Sequence, residues 1–127
     1  LRGRVAVARP EDRIGYAFVA ALEDRLGPPA DAAFRLDWSI ATRTDARAVT
    51  GTGETLRYFL TGTLDYRLTA ADGSRAGAGQ LTAFTAWSAI GTTVATRASE
   101  RDAEARLATI LADRLVTRLL ATLPDTP

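Results

Sequence analysis

Apolar and polar positions alternate along four stretches of this 127-residue chain and recur at helical spacing along two others. Between Arg2 and Ala8, Gly3, Val5 and Val7 fall on one side and Arg4, Ala6 and Ala8 on the other, the two-residue period of a short strand. Pro10 ends that strand and suits the first turn of a helix, with Glu11 and Asp12 placed where the helix dipole favours negative charge. Ile14, Phe18 and Leu22 then recur every four residues and are joined by Ala17, Ala21 and Leu26, which makes one apolar stripe. Arg25 in the last turn and Gly27-Pro28-Pro29 beyond it form a stop.

Phe34, Leu36, Trp38 and Ile40 alternate with Arg35, Asp37, Ser39 and Ala41, the clearest period-two run in the chain, and the strand is expected to continue weakly to about Val49. Gly51-Thr52-Gly53 supplies a turn. The next strand spans about Leu56 to Thr69. It puts Leu56, Tyr58, Leu60, Leu64, Tyr66 and Leu68 on one face and Arg57, Phe59, Thr61, Thr63, Asp65 and Arg67 on the other. Asp72-Gly73 between two extended runs is a strong hairpin signal. A fourth strand follows from about Arg75 to Ser88, its start weakened by Gly77 and Gly79, which suggest a bulge or a close backbone approach. Ala89 to Ala98 reads as a loop or fraying helix start, and Ser99 with Asp102 as a capping-box-like beginning. Leu107, Ile110, Leu111, Leu115, Leu119 and Leu123 line one side of the final helix, and Pro124 ends it.

The order β-α-β-β-β-α predicts an α+β, two-layer sandwich: a four-stranded, mostly antiparallel sheet with both helices on its apolar face. Trp38, Tyr58 and Tyr66 are expected in the core against Phe18 and Leu111. The opposite face carries Phe59, Thr61, Thr63, Thr69 and Thr82, ordinary strand formers that also suit contact with a larger protein; an exposed Trp87 favours the second reading.

Length fits one domain, residues 1–127, and the 46% hydrophobic share is ample for a core. No apolar run is long enough to span a bilayer. All sixteen basic residues are arginine and nearly cancel fifteen acids, so no general attraction to nucleic acid follows. The absence of His and Cys removes the usual transition-metal ligands and the Cys or Ser–His nucleophile arrangements. No cofactor is indicated. What remains for catalysis is a carboxylate pair, Asp37 with Asp65, on the polar faces of neighbouring strands; solvated surface charges near Arg35, Arg57 and Arg67 are the stronger reading. The glycine pairs at Gly51/Gly53 and Gly77/Gly79 lack the strand–helix context of a phosphate loop. Topology gathers Arg9, Arg13, Arg43, Arg47, Arg57, Arg97 and Arg101 at one end of the sandwich, where arginine forks would suit phosphate oxygens, although Glu11, Asp12, Asp45, Glu54 and Glu100 share that end and make a mixed polar rim the stronger reading of the residues alone.

Phe84-Thr85-Ala86-Trp87-Ser88, then Thr93-Val94-Ala95-Thr96 and Glu100 to Arg106 leading into Leu111-Ala112-Asp113, resemble the last strand and helix of LptE-type lipoproteins. Asp12-Arg13-Ile14-Gly15 with Leu22 to Gly27 resembles that family's first helix, and Tyr66-Arg67-Leu68 before Asp72-Gly73 its middle hairpin, so the likeness runs from about Arg4 to Leu123. The order and spacing of several weak motifs carry it. The resemblance implies a non-catalytic, lipid-anchored protein on the periplasmic face of the outer membrane. Such a protein plugs the LptD β-barrel and assists lipopolysaccharide assembly, binding lipid A through basic residues near the middle turn and the start of the last helix. Here Arg97 matches the second position; Gly51 occupies the first, so Arg47 or Arg57, with Arg43 nearby, would substitute. Phe59, Thr61, Thr63 and Trp87 are the expected partner-facing residues, with Trp87 standing where relatives carry Tyr. A signal peptide and an anchoring cysteine are expected upstream of Leu1. Two alternatives stay open: an auxiliary lipoprotein of an ABC-type lipid transporter, and a small α+β enzyme using the Asp pair.

Overall fold

A short strand followed by a helix and a second strand gives a parallel pair only if the helix crosses over, and that is how the chain begins. The computed structural model describes residues 3–48, 56–89 and 92–122. In it β1 (Val5–Val7) pairs in parallel with the start of β2 (Phe34–Ala48), with α1 (Arg13–Leu26) as the crossover. Asp12 caps α1 by accepting the Gly15 amide at 2.8 Å, so the helix begins at Arg13 and Pro10 lies ahead of it, three residues later than the sequence pattern suggested. The Gly27 amide closes the other end on the Glu23 carbonyl.

Three long strands then run as a meander: β2, β3 (Leu56–Ala70) and β4 (Arg75–Ala89), each antiparallel to its neighbour, in the order β1-β2-β3-β4. The β3–β4 hairpin turns at Asp72-Gly73, where Gly73 takes φ +89° and the Asp72 carboxylate accepts both the Ser74 amide and hydroxyl. Those bonds hold the Asp72 carboxyl below the usual carboxylate range. Next to the turn, the register slips between Leu68 and Thr69, as the weak glycine-rich start of β4 implied. The turn expected at Gly51-Thr52-Gly53 and the helix stop at Pro124 lie outside the described residues.

The last helix, α2 (Thr93–Thr122), starts two turns before Ser99. Thr92 caps it, its hydroxyl accepting the Ala95 amide at 3.1 Å and its carbonyl the Thr96 amide at 3.0 Å. A Thr at this position competes well with Ser99 as a cap, and the small residues between are compatible with helix, so the earlier start wins.

Both helices cover the same side of the sheet. Ile14, Phe18, Leu22 and Leu26 of α1 and Leu107, Leu111, Leu115 and Leu119 of α2 are buried with Leu36, Leu60, Leu64, Tyr66, Leu68, Leu81 and Trp87 of the strands. Trp38 and Tyr58 are half-buried against this core, and Trp38 tilts across Phe18 at 4.8 Å between ring centroids. Its indole N–H donates to the Ala8 carbonyl at 2.9 Å, which satisfies the polar end of the ring. Mid-sheet, Gly62 lies opposite Ala83 and makes room for α2: a Cβ on Gly62 would stand 2.8 Å from Leu107 Cδ2 and 3.3 Å from Leu111 Cδ1. Gly62→Val should therefore overpack this contact and cost about 1–3 kcal/mol, read as a lower midpoint in urea with an unchanged slope. An unaltered midpoint would mean that α2 does not rest on Gly62.

Candidate functional site

With both helices on one side, the other side of the sheet is bare of other elements among the described residues, and strand register fixes what stands on it. Across β2, β3 and β4 the outward rows are Asp37–Arg67–Ala78, Ser39–Asp65–Gln80, Ala41–Thr63–Thr82, Arg43–Thr61–Phe84, Asp45–Phe59–Ala86 and Arg47–Arg57–Ser88. The middle is small residues and threonine, and the end where α2 begins carries arginine and phenylalanine.

Arg47 and Arg57 are direct cross-strand partners, an arrangement that repels by itself. Phe59, two residues along β3 from Arg57, offsets the repulsion: its ring centroid lies 5.3 Å from the Arg47 guanidinium carbon and 5.9 Å from that of Arg57. Each contact contributes about 0.5–1 kcal/mol at an exposed site. Both arginines are exposed, and neither is ion-paired among the described residues. Arg43 differs, since its guanidinium meets Asp45 at 3.2 Å along the same strand. Arg97 is exposed in the second turn of α2, at the same end of the sandwich. Arg13 is tied bidentately to Glu104, both bonds 2.9 Å, which joins α1 to α2 and holds the guanidinium above its ordinary pKa. At the arginine-bearing end Arg13 and Arg43 are thus already matched to carboxylates, whereas Arg47, Arg57 and Arg97 have no carboxylate partner among the described residues.

Thr61 and Thr63 are half-buried on the bare face beside Phe59. Trp87 belongs elsewhere. It is 8% exposed on the helix side, stacked on Tyr58 at 5.1 Å, so it is a core residue and not a partner-facing one. Period two explains the correction: Leu81, Ala83, Thr85 and Trp87 share one parity and face the helices, whereas Phe84, of opposite parity, is 66% exposed. Phe84 is the surface aromatic that the sequence reading missed, and it lies diagonally across from Phe59. The alternation within β4 was the signal that could have found it.

Asp37 and Asp65 stand in adjacent rows of the bare face, where each already has a partner. Arg35 meets Asp37 at 3.2 Å, and the Gln80 side-chain amide donates to Asp65 at 2.9 Å. Their shallow groove is open sheet surface, not the enclosed setting that acid–base catalysis needs. Among the described residues no group of three acidic side chains is placed to hold a metal ion. Among the described residues no helix is long and apolar enough to cross a membrane.

Comparison with known proteins bears on this surface through the fold. A family model described as LptE, lipopolysaccharide-assembly, matches residues 3–119. No curated protein matches the chain in sequence. A Caulobacter crescentus protein described as a lipoprotein is similar in structure, with TM-score 0.79 at 22% identity over 94% of this chain and 89% of that one. Rare lipoprotein B from Shewanella oneidensis has TM-score 0.68 at 14% identity over 94% and 93% of the two chains. A minor lipoprotein from Acinetobacter baumannii has TM-score 0.63 at 14% identity over 95% and 94%.

The two sides of β4 should respond differently to truncation. Trp87→Ala should lose about 3–5 kcal/mol of stability in urea denaturation, and Phe84→Ala should stay within about 0.5 kcal/mol of the parent. Equal losses would mean that β4 is turned the wrong way.

Proposed function

The chain belongs to the LptE family of lipopolysaccharide-assembly lipoproteins, a non-catalytic family of the outer membrane, and from that premise we propose that its bare sheet face and arginine-bearing end serve two contacts, an LptD-type β-barrel and lipopolysaccharide itself. The domain would sit on the periplasmic side of the membrane, held by a lipid anchor, and plug the barrel lumen.

The observation that carries the lipopolysaccharide contact is the Arg47–Phe59–Arg57 cluster. Lipid A presents phosphates beside acyl chains. Two arginines that are cross-strand partners, lacking a carboxylate among the described residues, offer planar donors for phosphate oxygens. The ring between them and Phe84 nearby give apolar surface for the adjoining chain. Arg97 supplies a third cation from α2, at the same end. Arg43 is the weaker member of the set because Asp45 already neutralises it. A barrel lumen is polar, and the threonine rows with Asp37, Asp65 and Arg67 offer the hydrogen-bonding surface such a wall would meet. Phe59 and Phe84 are the anchors within it, as aromatics commonly are in interfaces.

Binding of lipid A to the purified domain tests the first contact. Arg47→Ala with Arg57→Ala, and separately Arg97→Ala, should each raise Kd by about tenfold or more, the effect of losing roughly 1.5–3 kcal/mol per charge-assisted contact. Binding should also weaken as salt is added. Normal affinity in both variants would remove the arginine end from lipid recognition. For the second contact, Phe84→Glu should leave the thermal midpoint intact and reduce recovery of the barrel with the anchored full-length protein. Undiminished recovery would place the docking surface off this face.

A further inference from the structure

Among the described residues, the strand order leaves one side of β4 without a neighbouring strand. Such an edge is a template for another extended chain, and β4 is a favourable one: it is 15 residues long, and from Ala76 to Ala89 it contains no charged residue and no proline. β2 and β3 each carry several charges along the same length, whereas β4 has only Arg75, at its start.

The missing charges come from α2. The Arg106 guanidinium donates to the Ala86 carbonyl at 3.1 Å, Arg114 to the Thr82 carbonyl at 2.9 Å, and Arg118 to the Gln80 carbonyl at 3.4 Å, the longest of the three. The spacing is regular. Four residues of helix advance about 6.0 Å and two residues of strand about 6.8 Å, so a helix running antiparallel to the edge can present one side chain per outward carbonyl. The register would assign position 110 to Phe84, and there the residue is Ile110, half-buried against the core. Arg106 is further oriented by Asp102 at 2.9 Å. Arginine suits the task because its donors diverge from a plane at the end of a long stem.

We propose that Arg106, Arg114 and Arg118 guard the free edge of β4: by occupying its outward carbonyls they deny that edge to the extended strand of a second copy of this chain. The opposite edge needs a different safeguard. β1 covers β2 only from Phe34 to Leu36, and beyond that β2 carries Arg43, Asp45 and Arg47 of its own. β4 has no such side chains and borrows its charges from the helix above it.

The test uses Arg106→Ala, Arg114→Ala and Arg118→Ala combined in the otherwise intact chain, with solution mass from light scattering and helix and sheet content from circular dichroism. The expected result is a rise to twice the monomer mass or more with little change in the spectrum or the thermal midpoint of the monomer. Adding Thr82→Pro, which removes an outward amide from the edge without touching a β3 partner bond, should restore the monomer. A triple variant that stays monomeric with a native spectrum overturns the proposal. So does self-association that Thr82→Pro leaves unchanged, since pairing then runs through another surface. Should the triple change cost the fold, Arg114→Ala alone opens the centre of the edge and is read in the same way.

Discussion

The contact between α2 and the middle of the sheet sets the rest of this structure. A helix bearing Leu107, Leu111, Leu115 and Leu119 on one stripe can lie close to strands only where the strands offer little side chain, and Gly62 beside Ala83 offers it. Once α2 is seated there, α1 has one place left on that face. It packs against α2 and the β2 side, with Arg13–Glu104 and Arg25–Asp113 across the helix pair. The exposed Arg25–Asp113 pair contributes little by itself, so the two pairs orient a packing that apolar burial drives. Thr85, the one buried polar residue among those described, fits the same scheme: its hydroxyl donates to the Ala103 carbonyl at 2.9 Å and links β4 to α2.

Sidedness follows from that packing. Because every helix is on one face, the bare face is composed by the leftover parity of three long strands, and its character is decided residue by residue in the register. Threonine and alanine fill the centre, and arginine clusters toward the end where α2 begins. The same geometry that hides Trp87 exposes Phe84, three residues earlier on the same strand.

Much of the fold was legible because period two and period 3.6 are strong signals when strands are long and helices amphipathic. β2 and β3 were readable nearly to their ends, and the Asp72-Gly73 turn was plain. What could not be read were features decided by tertiary contact. The start of α2 at Thr93 depends on a cap chosen over Ser99, in a stretch whose small residues are neutral between helix and loop. The parallel placement of β1 beside β2 depends on a crossover that three residues of strand cannot announce. For the candidate surface, the Arg47, Arg57 and Phe59 positions were visible, yet their meeting needed the pairing of Arg47 with Arg57 in register. Trp87 shares its parity with Leu81 and Ala83, which puts it in the core and not on the partner-facing side. The hydrogen bonds from Arg106, Arg114 and Arg118 to a strand some thirty residues away in sequence have no local signature at all.

A chain with sixteen arginines, no lysine and a net charge of +1 still presents localised positive charge, and the neighbours of each arginine explain how. Arg13, Arg25, Arg35, Arg43 and Arg106 each lie within 3.2 Å of a carboxylate, so their charge is cancelled where it arises. Arg114 and Arg118 are spent on backbone carbonyls of β4, which screen them without neutralising them. Arg47 and Arg57 are held by an aromatic ring, which positions a cation without neutralising its charge. Overall charge is therefore a poor guide to what this surface can bind. Two cations placed side by side over one ring create a local anion preference that near-neutral composition conceals, and they do so on the sheet face opposite the helices.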